Sequence, residues 1–332
     1  MTPLLCALAA AAAAPSPEAP LADTGQTRHY TKTFGEDSDY TGRAPTFVDN
    51  GDGTVTDKVT GLVWEKTDGG EMTWEKARDR AAALRLAGKS DWRLPTSVEL
   101  LGLMNHDRHG PAMDTAFFPH NEARYWWTRS PAAGDAARVW LVNTGGGIGA
   151  HPKTETTSAG GDRPVHARCV RGPCASGDGP RLRDNADGTV SDLRTGLTWQ
   201  KVGEAKPMNW EQALAACESL KLGGKDDWRL PNIKELRSLS DDAKARPSLD
   251  RAFFPGAQAA PYWSSTTQSN RPERAWFVDF ASGLVTYADK TAPQLVLAVR
   301  GGDVVAGPRE KPEPAPAPAQ GKPGDKPKRR GQ

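Results

Sequence analysis

The chain has 332 residues, 37% of them hydrophobic and 25% charged, and its formal net charge is +2. This composition is typical of a globular protein with flexible ends, and the small net charge argues against specific nucleic-acid binding or strong polyanion binding by the folded part. No stretch inside the chain is apolar over the length that is needed to span a bilayer.

The N-terminus looks like a secretory signal peptide. Residues 3–14 form a short apolar run that ends in a series of alanines. The run is too short for a membrane helix but suits the apolar region of a signal peptide. We therefore predict a signal peptide over residues 1–22, a linker over residues 23–43, and export to the periplasm or the cell surface.

Beyond this linker the chain contains the same sequence twice. Of the 11 tryptophans, all but Trp127 form pairs that are separated by 135 to 137 residues. A period this long is that of a whole domain rather than of a solenoid unit. We therefore predict two domains, over residues 44–173 and 174–302, each of which buries its own core. The pairs are Trp64 with Trp199, Trp74 with Trp210, Trp92 with Trp228, Trp126 with Trp263, and Trp140 with Trp276.

Each copy opens with a hairpin and continues with two helices. In the first copy, the run from Asn50 to Gly53 between short strands is a strong hairpin signal. Trp74, Ala77 and Ala81 then recur at helical spacing, and a second helix is predicted after Thr96, which has the spacing of a capping box with Glu99. Later strands are predicted around residues 138–142 and 168–171. This order of elements predicts an α+β fold.

Residues 303–332 are predicted to be a disordered, proline-rich tail. The segment has too few apolar residues to fold, and it should form an extended spacer that ends in basic residues. The basic end could bind a polyanion, or it could simply keep the terminus soluble. The basic residues are Lys326, Lys328, Arg329 and Arg330.

At these motifs the chain resembles the Lcl C-terminal domain family, which is named for a Legionella collagen-like adhesin. The shared pattern includes Asp-Trp-Arg-Leu-Pro at residues 91–95 and 227–231, Tyr-Trp-Ser-Ser at 262–265, and Cys-Val-Arg-Gly at 169–172. The resemblance implies an exported bacterial protein and, by its namesake, adhesion to sulfated glycans. The Arg-Leu-Pro stretch also resembles the group of C-type-lectin-like and formylglycine-generating-enzyme-like folds, so two tandem domains of that topology are expected.

Two motifs are weak candidates for a metal site. The hairpins carry Asp52 and Asp187 at spacings that are compatible with a calcium loop, but the bidentate acid is missing in both copies, and a role in the turn backbone is the alternative. His106 and His109 are three residues apart in a loop and are compatible with a metal, although loop histidines are usually only polar. We predict no cofactor.

An arginine and a glutamate recur together after a tryptophan that occurs in both copies, Trp92 and Trp228. Arg93 with Glu99, and Arg229 with Glu235, lie beside a predicted helix start. The pair could be an exposed clamp for an anion. The alternative is a scaffold role, in which the glutamate accepts from helix N–H groups and the arginine donates to a nearby carbonyl.

The cysteines are divided between the copies. The resemblance implies that a helix cysteine pairs with the cysteine of Cys-Val-Arg, but the first copy keeps only Cys169 and the second only Cys217. An exported protein favours disulfides, and the remaining candidate is Cys174 in the connection, which could join either. We favour Cys174 with Cys217.

Aromatic and basic residues outside the shared pattern are candidates for ligand binding. Aromatic faces stack on sugars, and Arg or Lys side chains pair with sulfate or carboxylate groups. Because paired tryptophans are more often core residues, the unpaired Trp127 is the best stacking candidate. The first-copy set is Trp127, Arg124, Arg129, Arg138, His151 and Lys153; the second-copy set is Tyr262, Arg271, Arg274 and Lys290.

The sequence therefore favours an exported, non-catalytic binding protein that recognises a glycan or another component of the cell envelope. A structural or protein–protein interaction module is the alternative. A formylglycine-generating-enzyme-like activity has less support, because no nucleophile with a base occurs at matched positions and the paired active-site cysteines are missing.

Overall fold

The computed structural model of the protein describes residues 20–119, 125–157, 163–173 and 181–307. Arg124, Cys174, most of the predicted signal peptide and the tail beyond residue 307 lie outside these ranges. The described part is mostly β structure with four α-helices, two in each repeat, as predicted for an α+β protein. Its helices include none that is long and apolar enough to cross a membrane.

The first repeat contains strands β2 to β9 and helices α1 and α2, and strand β1 precedes it. A 3-10 turn at Asp37–Asp39 precedes the first strand. The elements are β1 Tyr40–Thr41, β2 Phe47–Asp49, β3 Thr54–Asp57, β4 Val63–Glu65, α1 Trp74–Ala83, α2 Ser97–Gly102, β5 Tyr125–Ala132, β6 Asp135–Asn143, β7 Ile148–Pro152, β8 Val165–His166 and β9 Val170–Arg171.

The second repeat contains strands β10 to β18 and helices α3 and α4, and a last strand follows it. The elements are β10 Leu182–Asp184, β11 Thr189–Asp192, β12 Leu197–Gln200, β13 Glu204–Met208, α3 Trp210–Glu218, α4 Ile233–Ser238, β14 Pro261–Thr267, β15 Arg274–Asp279, β16 Leu284–Asp289, β17 Gln294–Val296, β18 Val299–Gly301 and β19 Val305–Ala306.

Local hydrogen bonds explain why the helices begin where they do. Thr96 accepts from the backbone of Glu99, and the Glu99 carboxylate accepts from the backbone of Thr96, so the predicted capping box is present at the start of α2. Asn232 and Glu235 form the same box at the start of α4. Thr73 caps α1 through the N–H of Lys76. These contacts span only a few residues, which is why the sequence predicts them well.

The predicted hairpins are also present. Strands β2 and β3 pair in antiparallel fashion, with Val48 opposite Thr56, and the turn between them includes Gly53 at a φ of 85°. A residue with a side chain would be strained in this left-handed conformation, so glycine suits the turn. The hairpin of β10 and β11 has the equivalent register, with Arg183 opposite Ser191.

One sheet joins the two repeats. A nine-stranded sheet runs in the order β13-β17-β14-β15-β16-β7-β6-β5-β8, and two four-stranded sheets, β2-β3-β4-β9 and β10-β11-β12-β18, lie one in each repeat. The connection is the antiparallel pairing of β7 with β16, where Ile148 lies opposite Val285. Both side chains are buried.

The core is partly shared, which corrects the prediction that each domain buries its own core. Each repeat has a cluster of its own around α1 or α3. A third cluster takes tryptophans from both repeats, including Trp64 and Trp140 from the first and Trp199 and Trp276 from the second. The repeats therefore form one packed unit, because the sheet that carries this cluster is continuous across them.

The segment that was predicted to be a linker is instead packed. Residues 23–41, here called the cap segment, include the fully buried Thr24 and Asp39, and Ala22 just before them is buried as well. The cap segment lies against the second repeat and against His106 and Asp107 of the first. At its end, β1 pairs with β19, with Tyr40 opposite Ala306. The prediction failed because hydroxyl and carboxyl groups dominate the segment, and their burial depends on distant partners.

Candidate functional site

Trp127 is not a stacking residue. Its side chain is 0% exposed, and its indole N–H donates to the carbonyl of Met72 at 2.8 Å. Trp263 donates in the same way to the carbonyl of Met208 at 3.1 Å. The structure therefore pairs Trp127 with Trp263, whereas the sequence comparison pairs Trp126 with Trp263. The dipeptide Tyr-Trp occurs at residues 125–126 and 262–263, so the sequences align there one residue away from the structural equivalence.

An open groove in the first repeat is the main candidate for a binding site. It encloses about 460 Å³ between α1, the Trp-Arg-Leu run that follows it and β5. The indole N–H of Trp74 donates to the Thr128 carbonyl at 2.9 Å, so the ring is held while it stays partly exposed. The lining residues are Trp74, Arg78, Ala81, Ala82, Trp92, Arg93, Leu94 and Arg129.

The open groove is basic as well as aromatic. Arg78 and Arg129 are exposed at its rim. The Arg78 guanidinium carbon lies 5.5 Å from the centre of the Trp74 ring, and the Lys153 ammonium lies 4.6 Å from it. A partly exposed indole beside cations can hold a flat or apolar surface while the cations pair with acid groups. Of the predicted first-repeat residues, Arg129 lines this groove and Lys153 contacts the Trp74 ring beside it.

Arg93 has a scaffold role at the floor of the open groove. Its guanidinium makes two bonds to the Glu99 carboxylate, at 2.8 and 2.7 Å, and Glu99 also accepts from the backbone N–H of Thr96. Arg229 and Glu235 repeat the pair at 2.6 and 2.7 Å. The scaffold interpretation is confirmed, because the carboxylate already neutralises the arginine.

The matching groove of the second repeat is covered by the cap segment. Tyr40 donates from its hydroxyl to Glu218, and the Arg229 guanidinium carbon lies 5.4 Å from the centre of the Tyr40 ring. Trp210, the counterpart of Trp74, is 0% exposed. Lys290 lies 3.8 Å from the centre of the Trp210 ring, and burial lowers its pKa to about 8. The predicted ligand residue Lys290 is therefore part of this covered contact.

A second cavity lies where the two repeats meet. This junction cavity encloses about 490 Å³. It is lined on one side by Thr96, Ser97, Val98 and Ser130 of the first repeat, and on the other mainly by Arg181, Arg194, residues 238–242, Lys244 and Asp250 of the second. Leu21, just before the cap segment, also contributes to the wall.

The other predicted ligand residues do not form one site. Tyr262 is buried and packs against Phe280, with ring centres 5.2 Å apart. Arg138 and His151 have partners on their own strands or the following turn, Asp135 at 3.4 Å and Glu155 at 3.0 Å. Arg271 is exposed in a turn, and Arg274 pairs with Asp289 at 2.9 Å.

The two histidines of the weak metal candidate point to different environments. His106 is 2% exposed and packs edge-on against Trp276, and burial lowers its pKa to about 3. His109 is exposed. Because one ring lies in the interior and the other in solvent, the structure does not bring His106 and His109 together as metal ligands.

The two hairpin aspartates serve their turns. Asp52 accepts from the backbone N–H and the hydroxyl of Thr54, at 3.1 and 2.6 Å. Asp187 accepts from the same groups of Thr189, at 3.0 and 2.6 Å. The turn interpretation of these residues therefore matches the structure better than the calcium interpretation.

One group with metal-ligand chemistry was not foreseen. Within the described ranges, the ligand atoms of His29, Glu36 and Asp39 lie within 4.8 Å of one another. The Glu36 carboxylate already accepts from the backbone N–H of Tyr30, and Asp39 accepts from the N–H of Gly35. These carboxylates hold the turn of the cap segment, a role that needs no ion.

The predicted disulfide of Cys174 with Cys217 depends on a residue outside the described ranges. Cys217 is a free, buried thiol, and Cys174 lies outside the described residues. Cys169 is also free and buried, beside the Arg80 guanidinium at 3.3 Å, and burial raises its pKa to about 12. Both described thiols are therefore core residues.

The structure defines a tandem-repeat α+β protein with one covered and one open aromatic groove. The sequence pattern described as "Lcl C-terminal domain" matches residues 53–171 and again residues 188–300. The chain therefore belongs to the Lcl C-terminal domain family and carries two tandem copies, which confirms the resemblance. No curated protein matches the chain.

Proposed function

We propose that the protein is an exported, non-catalytic binding protein that holds an anionic component of the cell envelope in the open groove of its first repeat. The observation that carries the proposal is the combination of a partly exposed Trp74 with the exposed Arg78 and Arg129 around a cavity of about 460 Å³. Binding sites of this kind combine an aromatic face with a few well-placed charges. Membership of the Lcl C-terminal domain family supports a binding role.

Glycans that carry sulfate or carboxylate groups are the first ligand class to test. Trp74 can stack on a sugar ring, and Arg78 and Arg129 can each pair with an acid group at its edge. The family resemblance supports this class. A lectin-like topology of each repeat is part of the same proposal, supported by the two helices and the late antiparallel strands in each half.

A glycan array on the full-length protein tests the proposal. A second protein, with Lys326, Lys328, Arg329 and Arg330 changed to Gln, separates binding by the groove from binding by the basic tail. The variants Trp74→Ala and Arg129→Ser should lose about 10-fold or more in affinity, and Arg271→Ser, on an exposed turn elsewhere, should not. Binding that depends only on the tail, or no binding to any anionic ligand, would refute the proposal.

A protein-interaction role is the second candidate. The observation that favours it is the cap segment itself, because a polypeptide already occupies the equivalent groove of the second repeat.

A further inference from the structure

The cap segment shows how this fold binds an extended polypeptide. The Gln26 side chain forms two hydrogen bonds with the backbone of Thr267. Its oxygen accepts from the Thr267 N–H at 3.0 Å, and its amide nitrogen donates to the Thr267 carbonyl. The Thr24 carbonyl accepts from the N–H of His106 at 2.8 Å. Asp37 accepts from the hydroxyl of Thr266 at 2.5 Å. The segment is thus held by backbone groups and by a carboxylate.

Basic side chains of the second repeat complement the segment. Lys234 donates to the carbonyl of Asp23 at 2.7 Å. Lys290 lies 5.8 Å from the centre of the Tyr30 ring, and Arg229 lies over Tyr40. An acidic and aromatic segment therefore meets a basic and aromatic groove, a complementary arrangement for recognition.

Among the described residues, no segment equivalent to the cap segment follows the same path on the first repeat. The backbone N–H of Arg129 donates to Pro95 at 2.7 Å, as that of Ser265 donates to Pro231 at 2.8 Å, which fixes the equivalence of the two repeats. By this equivalence the open groove corresponds to the surface of the second repeat that residues 34–40 of the cap segment cover. The junction cavity corresponds to the surface that residues 23–28 of the cap segment cover. Three residues that hold the cap segment there are replaced in the cavity: Lys234 by Val98, Thr266 by Ser130 and His106 by Asp242.

The exposure of the equivalent arginine side chains also indicates that the first groove is less covered than the second. The side chain of Arg229 under the cap segment is 4% exposed, whereas that of Arg93 in the first repeat is 19% exposed. The connection between β9 and β10 consists of residues 172–181 alone, which is shorter than the cap segment of residues 23–41. A segment as long as the cap segment therefore does not fit between the two repeats.

We propose that the open groove and the junction cavity together bind an extended, acidic polypeptide segment of a partner protein, in the manner in which the second repeat binds the cap segment. This inference rests on the proposed function, because it names the partner of the same groove. The acidic preference applies to the part of the segment in the open groove, because Arg78 stands where the second repeat has Leu214 and Arg129 stands where it has Ser265. In the junction cavity, Val98 stands where the second repeat has Lys234, so an uncharged stretch fits there. Ala82 replaces Glu218, so the acceptor for a tyrosine hydroxyl is absent and an acidic residue fits the Tyr40 position better.

The probe is a synthetic peptide of residues 22–42, together with a version that carries Tyr40→Glu. Calorimetry on the full-length protein should show saturable binding of one peptide per chain, and Tyr40→Glu should bind more tightly. Arg78→Leu and Arg129→Ser convert the groove to second-repeat residues at two positions and should weaken binding about 10-fold or more. A scrambled peptide of the same composition controls for charge alone.

A photoreactive group at the Phe34 position of the peptide reports where it binds. Labelling of α1 supports the proposal. Labelling of α3 alone would show that the peptide merely exchanges with the cap segment, and it would overturn the proposal, as would equal binding of the scrambled peptide. If no peptide binds while a glycan binds in a manner that depends on Trp74, this inference fails and the proposed function stands. If neither binds, both fail.

Discussion

Tyr40 lies against Arg229, with its ring centre 5.4 Å from the guanidinium carbon, and its hydroxyl donates to Glu218. The contact joins the cap segment to the floor of the second groove. It brings together residues that are far apart in sequence, and it decides that one of two similar grooves is closed.

Tyr40→Ala should loosen the cap segment. We expect a loss of about 2–3 kcal/mol in the free energy of unfolding, because the variant removes a packed ring and the hydroxyl that donates to Glu218. Urea denaturation measures the loss, and hydrogen exchange should rise over residues 23–41. Tyr287→Ala is the control, since Tyr287 is 40% exposed. Equal effects of the two variants would mean that the cap contact contributes little.

Asp37 should make stability depend on pH. Burial raises its pKa from 3.8 to about 7, so the folded protein keeps a proton there that the unfolded chain has lost. This contribution is full below pH 3.8 and is lost as the pH rises through about 7. Asp37→Asn keeps an oxygen for Thr24 and Thr266. The stability of the wild type relative to this variant should therefore fall between pH 4 and pH 7, measured by urea denaturation. A constant difference would contradict the assignment.

Arg129 and Ser265 occupy equivalent places with different exposure. Arg129→Ser should change the free energy of unfolding by no more than about 0.5 kcal/mol, because Arg129 is exposed. The reverse change, Ser265→Arg, puts a charge at a position that is 2% exposed, and it should cost at least about 3 kcal/mol. Thermal and urea unfolding of the two variants compare these costs. A small loss of stability in Ser265→Arg would contradict this expectation and show that the cap segment is displaced at little cost in free energy.

Ile148 tests the join between the repeats. It is 1% exposed and lies opposite Val285, where β7 meets β16. Ile148→Ala should cost about 3 kcal/mol. Unfolding should remain a single transition in which tryptophan fluorescence and circular dichroism coincide, because the core is shared. Val48→Ala, at a residue that is 45% exposed, is the control. Two separate transitions in the wild type would show that the repeats fold independently.

The sequence by itself determined the features that depend on nearby residues. The duplication, the hairpin turns at Asp52 and Asp187, and the helix starts at Thr96 and Asn232 follow from contacts that span two to four residues. Such contacts recur wherever the same short motif recurs. The family membership rests on these motifs too, since they occur in a fixed order twice.

Only the tertiary structure decided the register of Trp127, the packing of the cap segment and the state of each groove. Gln26 and Thr267 are 241 residues apart, and Tyr40 and Glu218 are 178 apart. Nothing in either local sequence specifies the other partner. The polar composition of residues 23–41 indicates a linker until the second repeat satisfies their hydrogen bonds, and burial then follows from those distant partners.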